Sequence, residues 1–224
     1  MRRITPLGGY SKAADLPQLI PVFPLDGALL LPHGALPLNI FEPRYLNMID
    51  DAMAGERIIG MVQTAPGGTP ERPHLSGIGC AGRITSFSET GDGRYLITLT
   101  GVCRFETGEE LNVRTPYRQV RAVYAPFEAD LADAAIAPGA DRRRFAKVLK
   151  LYLNHRDLDL DWETANAAPL EALVNSLSMG LPFTPPEKQA LLEARSFGQR
   201  FEVLTTLLEI DAAEDGDDEP HSVQ

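Results

Sequence analysis

Residues 77–106 read GIGCAGRITSFSETGDGRYLITLTGVCRFE and predict a long β-hairpin. Both halves alternate apolar with polar residues and are rich in β-branched side chains, as strands with one buried face are. The halves meet at Asp92 and Gly93, and an Asp-Gly pair is a strong signal for a type I′ turn, in which both central residues have a positive φ. The stretch therefore indicates an antiparallel sheet.

The segments on either side of this hairpin predict the rest of the sheet. Residues 20–40 contain short apolar runs broken by prolines, which suit strands at an edge because proline cannot donate to the interior of a ladder. Residues 57–63 and 117–124 also read as strands, whereas residues 64–77 contain so much glycine and proline that we expect a loop without regular structure. The pattern predicts a small, mostly antiparallel barrel or sandwich.

One short helix interrupts the strands. Tyr45, Ile49 and Ala52 recur at helical spacing behind Pro43, which suits the first position of a helix. Gly55 follows as a stop.

The last third of the chain predicts three or four further helices. Thr184 with Glu187, and Ser196 with Gln199, have the spacing of capping boxes at helix starts. Apolar side chains form stripes along these helices. The stripes consist of Phe145, Val148, Leu149, Tyr152, Leu170, Leu173, Val174, Leu177, Phe201, Leu204, Leu207 and Leu208.

These elements predict an α+β fold in which a β-barrel precedes a helical bundle. Shifts in composition divide the chain into a loose leader (1–17), the barrel (18–127) and an Ala- and Asp-rich connector (128–140). The helical subdomain (141–212) comes next. The segment 213–224 is acidic, and we expect it to be a disordered tail.

Composition and charge exclude several classes of protein. Of the 224 residues, 44% are hydrophobic and 23% are charged, as in ordinary globular proteins. The net charge of −10 makes the average surface repel phosphate, so nucleic acid is not an expected partner. Arg142, Arg143 and Arg144 form the densest basic cluster, which we interpret as a solvated helix face.

The sequence also predicts the compartment. No apolar run approaches the roughly 20 residues that span a bilayer, and the N-terminal residues lack the apolar core of a secretory signal. Only two cysteines occur, Cys80 and Cys103, without the spacing of a disulfide framework. We expect two buried free thiols, a reducing environment and therefore the cytoplasm.

Motifs that would indicate catalysis or a bound cofactor are missing. The chain has no GxxxxGK[ST] or GxGxxG phosphate loop and no GxSxG nucleophile motif. Its histidines are His33, His74, His155 and His221, and no two of them share a ligand spacing. We expect no catalytic residue, no metal and no cofactor.

The FEPRY segment, residues 41–45, carries a glutamate and an arginine among apolar residues. Glu42 precedes a helix that starts at Pro43, where the helix dipole favours negative charge by about 0.3–1 kcal/mol. A general acid or base needs a partner group, and no second carboxylate or histidine lies nearby in the sequence. A structural corner is therefore the better interpretation. Arg44 either pairs with an acid or stays exposed for a partner.

Six motifs occur in an order that resembles a known family. The chain is similar over about residues 19–208 to the N-terminal substrate-binding domain of Lon proteases, and in particular to stand-alone bacterial proteins that consist of that domain. One departure is His33, at a position where the family commonly has glycine. The motifs are IPVFPL (20–25), PHGALPLNIFEPRY (32–45), the hairpin with DGR (92–94), GVCRF (101–105), PYRQVRA (116–122) and LPFTPPEKQALLE (181–193).

The resemblance implies a PUA-like pseudo-barrel followed by a helical bundle, and it implies polypeptide binding. The expected partner is an unfolded or partly unfolded polypeptide, with a protease or chaperone as a further candidate. A groove between barrel and bundle is the expected site, with Phe41, Glu42, Arg44 and Tyr45 as candidate contacts; for Phe41 and Tyr45 an ordinary core position is the competing interpretation. The alternative function is that of a PUA-like RNA-binding protein, against which the acidic balance speaks.

Overall fold

A computed structural model describes residues 9–132 and 141–214, and it confirms the α+β class. Strands dominate the first part and helices the second. None of the described helices combines the length and the apolarity that crossing a membrane requires. Besides two short 3₁₀ turns (Ala13–Asp15 and Ala125–Leu131), the elements are β1 (Leu19–Pro24), β2 (Ala35–Ile40), α1 (Pro43–Ala54), β3 (Ile58–Val62), β4 (Thr64–Thr69), β5 (Arg72–Leu75), β6 (Ile78–Glu89), β7 (Tyr95–Glu110), β8 (Arg118–Val123), α2 (Arg142–His155), α3 (Trp162–Ala167), α4 (Leu170–Gly180), α5 (Pro185–Glu193) and α6 (Phe197–Glu214).

Six strands form one curved sheet in the order β2-β7-β6-β3-β1-β8. The long strand β7 pairs with β2 from Tyr95 to Thr100, with β6 from Tyr95 to Glu106 and with β8 near its end, which closes the barrel. Among the described strand pairs, only β1 and β3 run parallel, with Val22 opposite Gly60. Among the described strands of this sheet, β2 alone has a neighbour on one side only.

The predicted hairpin is present as β6 and β7, but its turn differs from the type I′ turn that we expected. Thr90 and Arg94 form the last bonded pair, so the loop has three residues instead of two. Asp92 does not have a positive φ; only Gly93 does, at 79°. Its N–H donates to the Thr90 carbonyl at 3.0 Å. This is a type I turn followed by a left-handed glycine, the usual solution for a three-residue loop.

The expected loop at 64–77 was wrong, because β4 and β5 form a two-stranded sheet there. Gly67 and Gly68, with φ of 106° and 79°, absorb a register shift between Ala65 and Gly68. Pro73 is tolerated because a two-stranded sheet consists entirely of edges. The rules that disfavour glycine and proline apply to strands in the interior of a sheet, and this hairpin has no interior strand.

The described residues cover only parts of the predicted leader, connector and tail. Residues 1–8, 133–140 and 215–224 lie outside the described residues. Tyr10 and Leu16 are buried against the barrel, so the second half of the supposed leader is packed rather than loose.

Barrel and helices share one hydrophobic core. Its buried side chains come from both parts, for example Leu30 and Met48 on the barrel side and Phe145 and Tyr152 on the helical side. A second core fills the other face of the sheet around Phe105. The helical subdomain therefore packs on the barrel as part of the same folded body.

The two cysteines are free and buried. Cys80 lies opposite Arg104, and Ala81 lies opposite Cys103, so neighbouring side chains place the two thiols on opposite faces of the sheet. Burial raises the pKa of both thiols. The prediction of two buried free thiols is therefore confirmed.

The basic cluster at the start of α2 is not simply a solvated face. Arg142 donates to the carbonyl oxygens of Ala165, Asn166 and Ala168 at the end of α3. Arg144 pairs with a glutamate of α6 at 2.8 Å. These two arginines hold helices together, which explains their place near a helix start despite the unfavourable dipole.

The capping pairs predicted from sequence also form. The Glu187 carboxylate accepts from the N–H and the hydroxyl of Thr184, both at 2.7 Å. The Gln199 N–H donates to the Ser196 hydroxyl at 3.2 Å. Helices α5 and α6 thus begin where the sequence predicted.

Arg104 of β7 joins the barrel to the bundle. Its guanidinium donates to both carboxylate oxygens of Asp130, at 2.8 and 2.7 Å, and to the carbonyl oxygens of Leu192 and Ala194 at the end of α5. The ring of Phe127 stacks below it, 4.6 Å from the guanidinium carbon. Only 4% of the Arg104 side chain is exposed, so solvent does not screen these contacts.

We predict that Asp130→Asn lowers the free energy of unfolding by about 3–5 kcal/mol, because it leaves a buried guanidinium without its counter-ion. The matched control is Glu42→Gln, which breaks the exposed pair of Glu42 with Arg44 and is expected to cost less than about 1 kcal/mol. Urea unfolding followed by circular dichroism measures both. Equal costs for the two variants would contradict this role for Arg104.

Candidate functional site

A cleft of about 500 Å³ lies between the barrel and the bundle, where the approach to β2 faces α4. We call it the β2–α4 cleft. Its barrel wall is residues 33–37, and its helical wall includes Pro169, Ala172, Ser176 and Met179. Most of the lining is apolar, which suits side chains of a bound polymer better than a charged metabolite.

Buried polar contacts hold the two walls of this cleft in place. The Asn175 side chain of α4 donates to the Pro32 carbonyl at 3.2 Å and accepts from Arg200 at 3.0 Å. The Lys188 ammonium of α5 donates to the carbonyl oxygens of Gly27 and Met179, at 2.8 and 3.1 Å. Burial lowers the pKa of Lys188. The cleft is thus built into the fold and does not depend on a mobile loop.

The loop at the mouth of the cleft has unusual backbone geometry. His33 adopts φ of 64°, a left-handed conformation that glycine reaches at lower cost. This explains why the resemblance implies glycine at that position, and it shows that His33 keeps the loop conformation at the cost of some strain. Gly34 follows so close to Met179 that a Cβ there would press on the methionine sulfur.

A second, charged cleft of about 290 Å³ adjoins the first, and His33 and Glu171 line both. Burial, followed by the charge of Arg104, lowers the pKa of Arg200 to about 10. The Glu171 Oε2 atom is buried and has no hydrogen-bond partner within the described part of the chain. Among the smaller influences on Arg200, the negative charge of Glu171 raises its pKa.

The described residues that line the two clefts form no recognisable catalytic arrangement. They include no cysteine, and among the described contacts Ser176 and Ser196 have no hydrogen bond to a histidine. Within residues 9–132 and 141–214, no cluster of three or more His, Cys, Asp and Glu side chains has a metal-binding arrangement. The described lining residues provide apolar contacts and hydrogen-bonding groups.

The four residues predicted from FEPRY do not share one environment. Tyr45 is a core residue, 6% exposed, with its ring 4.2 Å from that of Phe23. Glu42 and Arg44 pair with each other at 2.9 Å, and the guanidinium carbon of Arg44 lies 4.6 Å from the Tyr45 ring centre. Phe41 is 61% exposed. The segment is a corner in which one aromatic ring is buried and the other faces solvent.

Phe41 directly follows the last residue of β2, so it stands at the far end of the strand that borders the β2–α4 cleft. Between the two ends, the outer face of the sheet forms an open concavity of about 500 Å³. Its walls are Pro37 and Asn39 of β2, serines of β6, and Leu96 of β7, which is 46% exposed. The cleft, this concavity and Phe41 together are called the β2 surface below.

The helical wall of this surface was not predicted from the sequence. Leu170, Leu173, Val174 and Leu177 were identified as the core stripe of α4, which places Ala172, Ser176 and Met179 on other faces of the same helix. The signal that would have found them is this same helical period, applied to the residues between the core positions. Nothing in the sequence indicates which strand they face.

Comparison with known proteins shows one consistent relationship. A family model described as the ATP-dependent protease La (LON) substrate-binding domain matches residues 19–209. "Lon protease 2" of Myxococcus xanthus is 26% identical over 206 residues, which are 89% of this chain and 24% of that protein. The Lon protease of Roseiflexus castenholzii is 25% identical over 87% of this chain and 24% of its own length. The chain therefore spans about a quarter of these relatives.

Two solved structures share the fold. The Lon N-terminal domain protein from Xanthomonas campestris superposes with a TM-score of 0.55 at 21% identity, over 84% of this chain and 97% of that one. The N-terminal domain of the Mycobacterium avium complex Lon protease gives a TM-score of 0.60 at 19% identity, over 85% and 97%.

Two glycines at the mouth of the cleft test how it is built. A Cβ at Gly101 would collide with the Leu31 backbone, which cannot move aside, so Gly101→Ala is expected to cost about 3 kcal/mol or more of unfolding free energy. Gly34→Ala meets mainly the flexible Met179 side chain and is expected to cost about 1 kcal/mol. Urea unfolding compares them. A Gly34→Ala cost as large as that of Gly101→Ala would mean that the helical wall cannot yield.

Proposed function

Because this chain belongs to the family of Lon substrate-binding domains, we propose that it binds extended or partly unfolded polypeptide and does not cleave it. The observation that carries the proposal is the β2 surface, in which an apolar cleft continues along an open strand to an exposed aromatic ring. Such a surface can contact both the backbone and the side chains of an extended polypeptide.

The residues of the FEPRY corner have different roles in the proposed binding. Phe41 supplies an exposed apolar contact, and the Arg94 guanidinium carbon, 5.9 Å from its ring centre, gives the contact a charged rim. Arg44 and Glu42 form a second charged rim. Tyr45 acts indirectly, since it anchors the start of α1 in the core. Apolar area with a polar border is the usual anatomy of a binding site for protein chains.

We propose modest affinity, because a flexible client loses conformational entropy when it is captured. Dissociation constants on the order of micromolar or weaker follow from that cost. We further propose a cytoplasmic location, which agrees with two buried free thiols, and a protease or chaperone as the recipient of bound clients.

The binding prediction compares two exposed apolar side chains. Phe41→Ser is expected to weaken binding of a labelled, reduced and carbamidomethylated lysozyme about fivefold or more, because it removes an aromatic contact. The control is Leu151→Ser on α2, which removes a side chain of similar exposure (60% against 61%) away from the β2 surface. Fluorescence anisotropy titrations measure both dissociation constants.

Equal effects of the two substitutions would count against the β2 surface. If the wild-type protein does not bind at a concentration of about 100 times the expected micromolar dissociation constant, polypeptide binding itself is refuted. Binding of an RNA oligonucleotide with a steep dependence on salt concentration would instead favour the alternative function.

We also predict that the 224-residue chain alone neither hydrolyses ATP nor degrades casein. The reason is chemical: the sequence contains no phosphate-binding loop, and the clefts offer no nucleophile paired with a base. Phosphate release and gel electrophoresis measure the two activities, with a full-length Lon protease as positive control. ATP hydrolysis or casein degradation that co-purifies with the folded protein through two chromatography columns would overturn the proposal.

A further inference from the structure

We propose that the polypeptide binds as an added β-strand along the free edge of β2. This inference rests on the proposed function and deepens it, because it names the chemical groups that hold the client. In strand addition, main-chain hydrogen bonds provide affinity for any sequence, and flanking pockets select side chains.

The register of the sheet shows which backbone groups of β2 are free. The Gly101 N–H of β7 donates to the Gly34 carbonyl just before β2, and bonded pairs alternate along an antiparallel ladder. Leu36, Leu38 and Ile40 therefore direct their N–H and C=O groups to β7. The residues between them direct theirs away from the sheet: Ala35, Pro37 and Asn39.

These outward groups are available. Nothing in the described part of the chain forms a hydrogen bond with the backbone of Ala35, Pro37 or Asn39, and all three residues are exposed. Natural proteins protect such an edge with charged side chains or with proline; β2 reads ALPLNI, so it has no charged side chain and one outward-facing proline. The edge is also flanked at both ends by the cleft and the open concavity, so an added strand has room for its side chains.

Pro37 argues for a foreign strand over a second copy of this chain. In a two-fold pairing of β2 with β2 centred on Pro37, two prolines would face each other, and both central hydrogen bonds would lack a donor. A client strand paired with β2 lacks only the one hydrogen bond that a backbone N–H at position 37 would have donated. The client's own N–H can still donate to the Pro37 carbonyl. The proline therefore penalises self-association more than client binding.

The side chains beside the edge describe the preferred client. On the inner face, the partly exposed Leu36 and Leu38 would neighbour alternate residues of the added strand, which favours apolar side chains there. The net charge of −10 favours neutral or basic clients over acidic ones. The occupant is thus an extended, uncharged or basic segment with apolar residues at every second position.

The decisive variants alter single backbone N–H groups. Asn39→Pro removes an outward donor without removing a bond to β7, and its control Asn39→Ala removes the same side chain while keeping the donor. We expect Asn39→Pro to weaken binding of the labelled lysozyme about fivefold and Asn39→Ala to change it less than about twofold. Pro37→Ala restores a donor and is expected to tighten binding about threefold.

Amide exchange on the wild-type protein provides a readout that does not depend on variants folding. Addition of unlabelled client should slow exchange of the Ala35 and Asn39 N–H groups, while those of Leu36 and Leu38, already bonded to β7, change little. Equal affinities of Asn39→Pro and Asn39→Ala, with no protection of those amides, would overturn strand addition while leaving polypeptide binding intact. Protection that appears without client and rises with protein concentration would assign the edge to a second copy instead. Loss of all binding in the wild type would refute the proposed function first.

Discussion

The buried guanidinium of Arg104 is the contact on which the arrangement of this protein depends. It extends from β7, the strand that pairs with three others. It donates to the Asp130 carboxylate and to the last carbonyl oxygens of α5. A guanidinium has donors in a fixed planar fork, so it specifies direction as well as distance. The position of α5 on the barrel follows from it.

The position of α4 follows in turn, since Lys188 of α5 donates to the Met179 carbonyl and Arg200 of α6 to Asn175. Asn175 then reaches the Pro32 carbonyl in the loop before β2. Each link is a buried hydrogen bond, and separating its two partners would cost free energy. The width of the β2–α4 cleft is therefore set by a chain of hydrogen bonds that starts at the centre of the sheet. Packing alone would permit sliding, because apolar contacts are not directional.

Much of this fold was predictable from the sequence, because the strongest signals are local. The β6–β7 hairpin, the start of α1 at Pro43 and the capped starts of α5 and α6 follow from spacing and backbone preference. The turn at Gly93 was predicted with the wrong type, since pattern alone does not reveal that the bonded pair is Thr90 with Arg94. The β4–β5 hairpin was missed because glycine and proline are penalised only when a strand has neighbours on both sides.

The candidate surface was less predictable, since it depends on contacts between distant residues. The FEPRY segment was recognisable in the sequence, yet Phe41 is exposed and Tyr45 is buried. The difference arises because the Tyr45 ring packs on Phe23. Ala172 and Met179 have no sequence signal of their own. The resemblance to a known family implied a groove between barrel and bundle, but not which groups are free there.

An open edge strand creates a conflict between binding and solubility. A strand that accepts any extended chain also accepts its own copies, and most proteins resolve this by blocking the edge with charge. In β2 the resolution is one proline, placed where its missing N–H faces outward and costs the sheet nothing. In the proposed complex a client meets that defect once, whereas a two-fold pairing of two copies would meet it twice, so the proline would weaken self-association more than client binding. Under this proposal, selectivity comes from the symmetry of the competing complex rather than from recognition of the client.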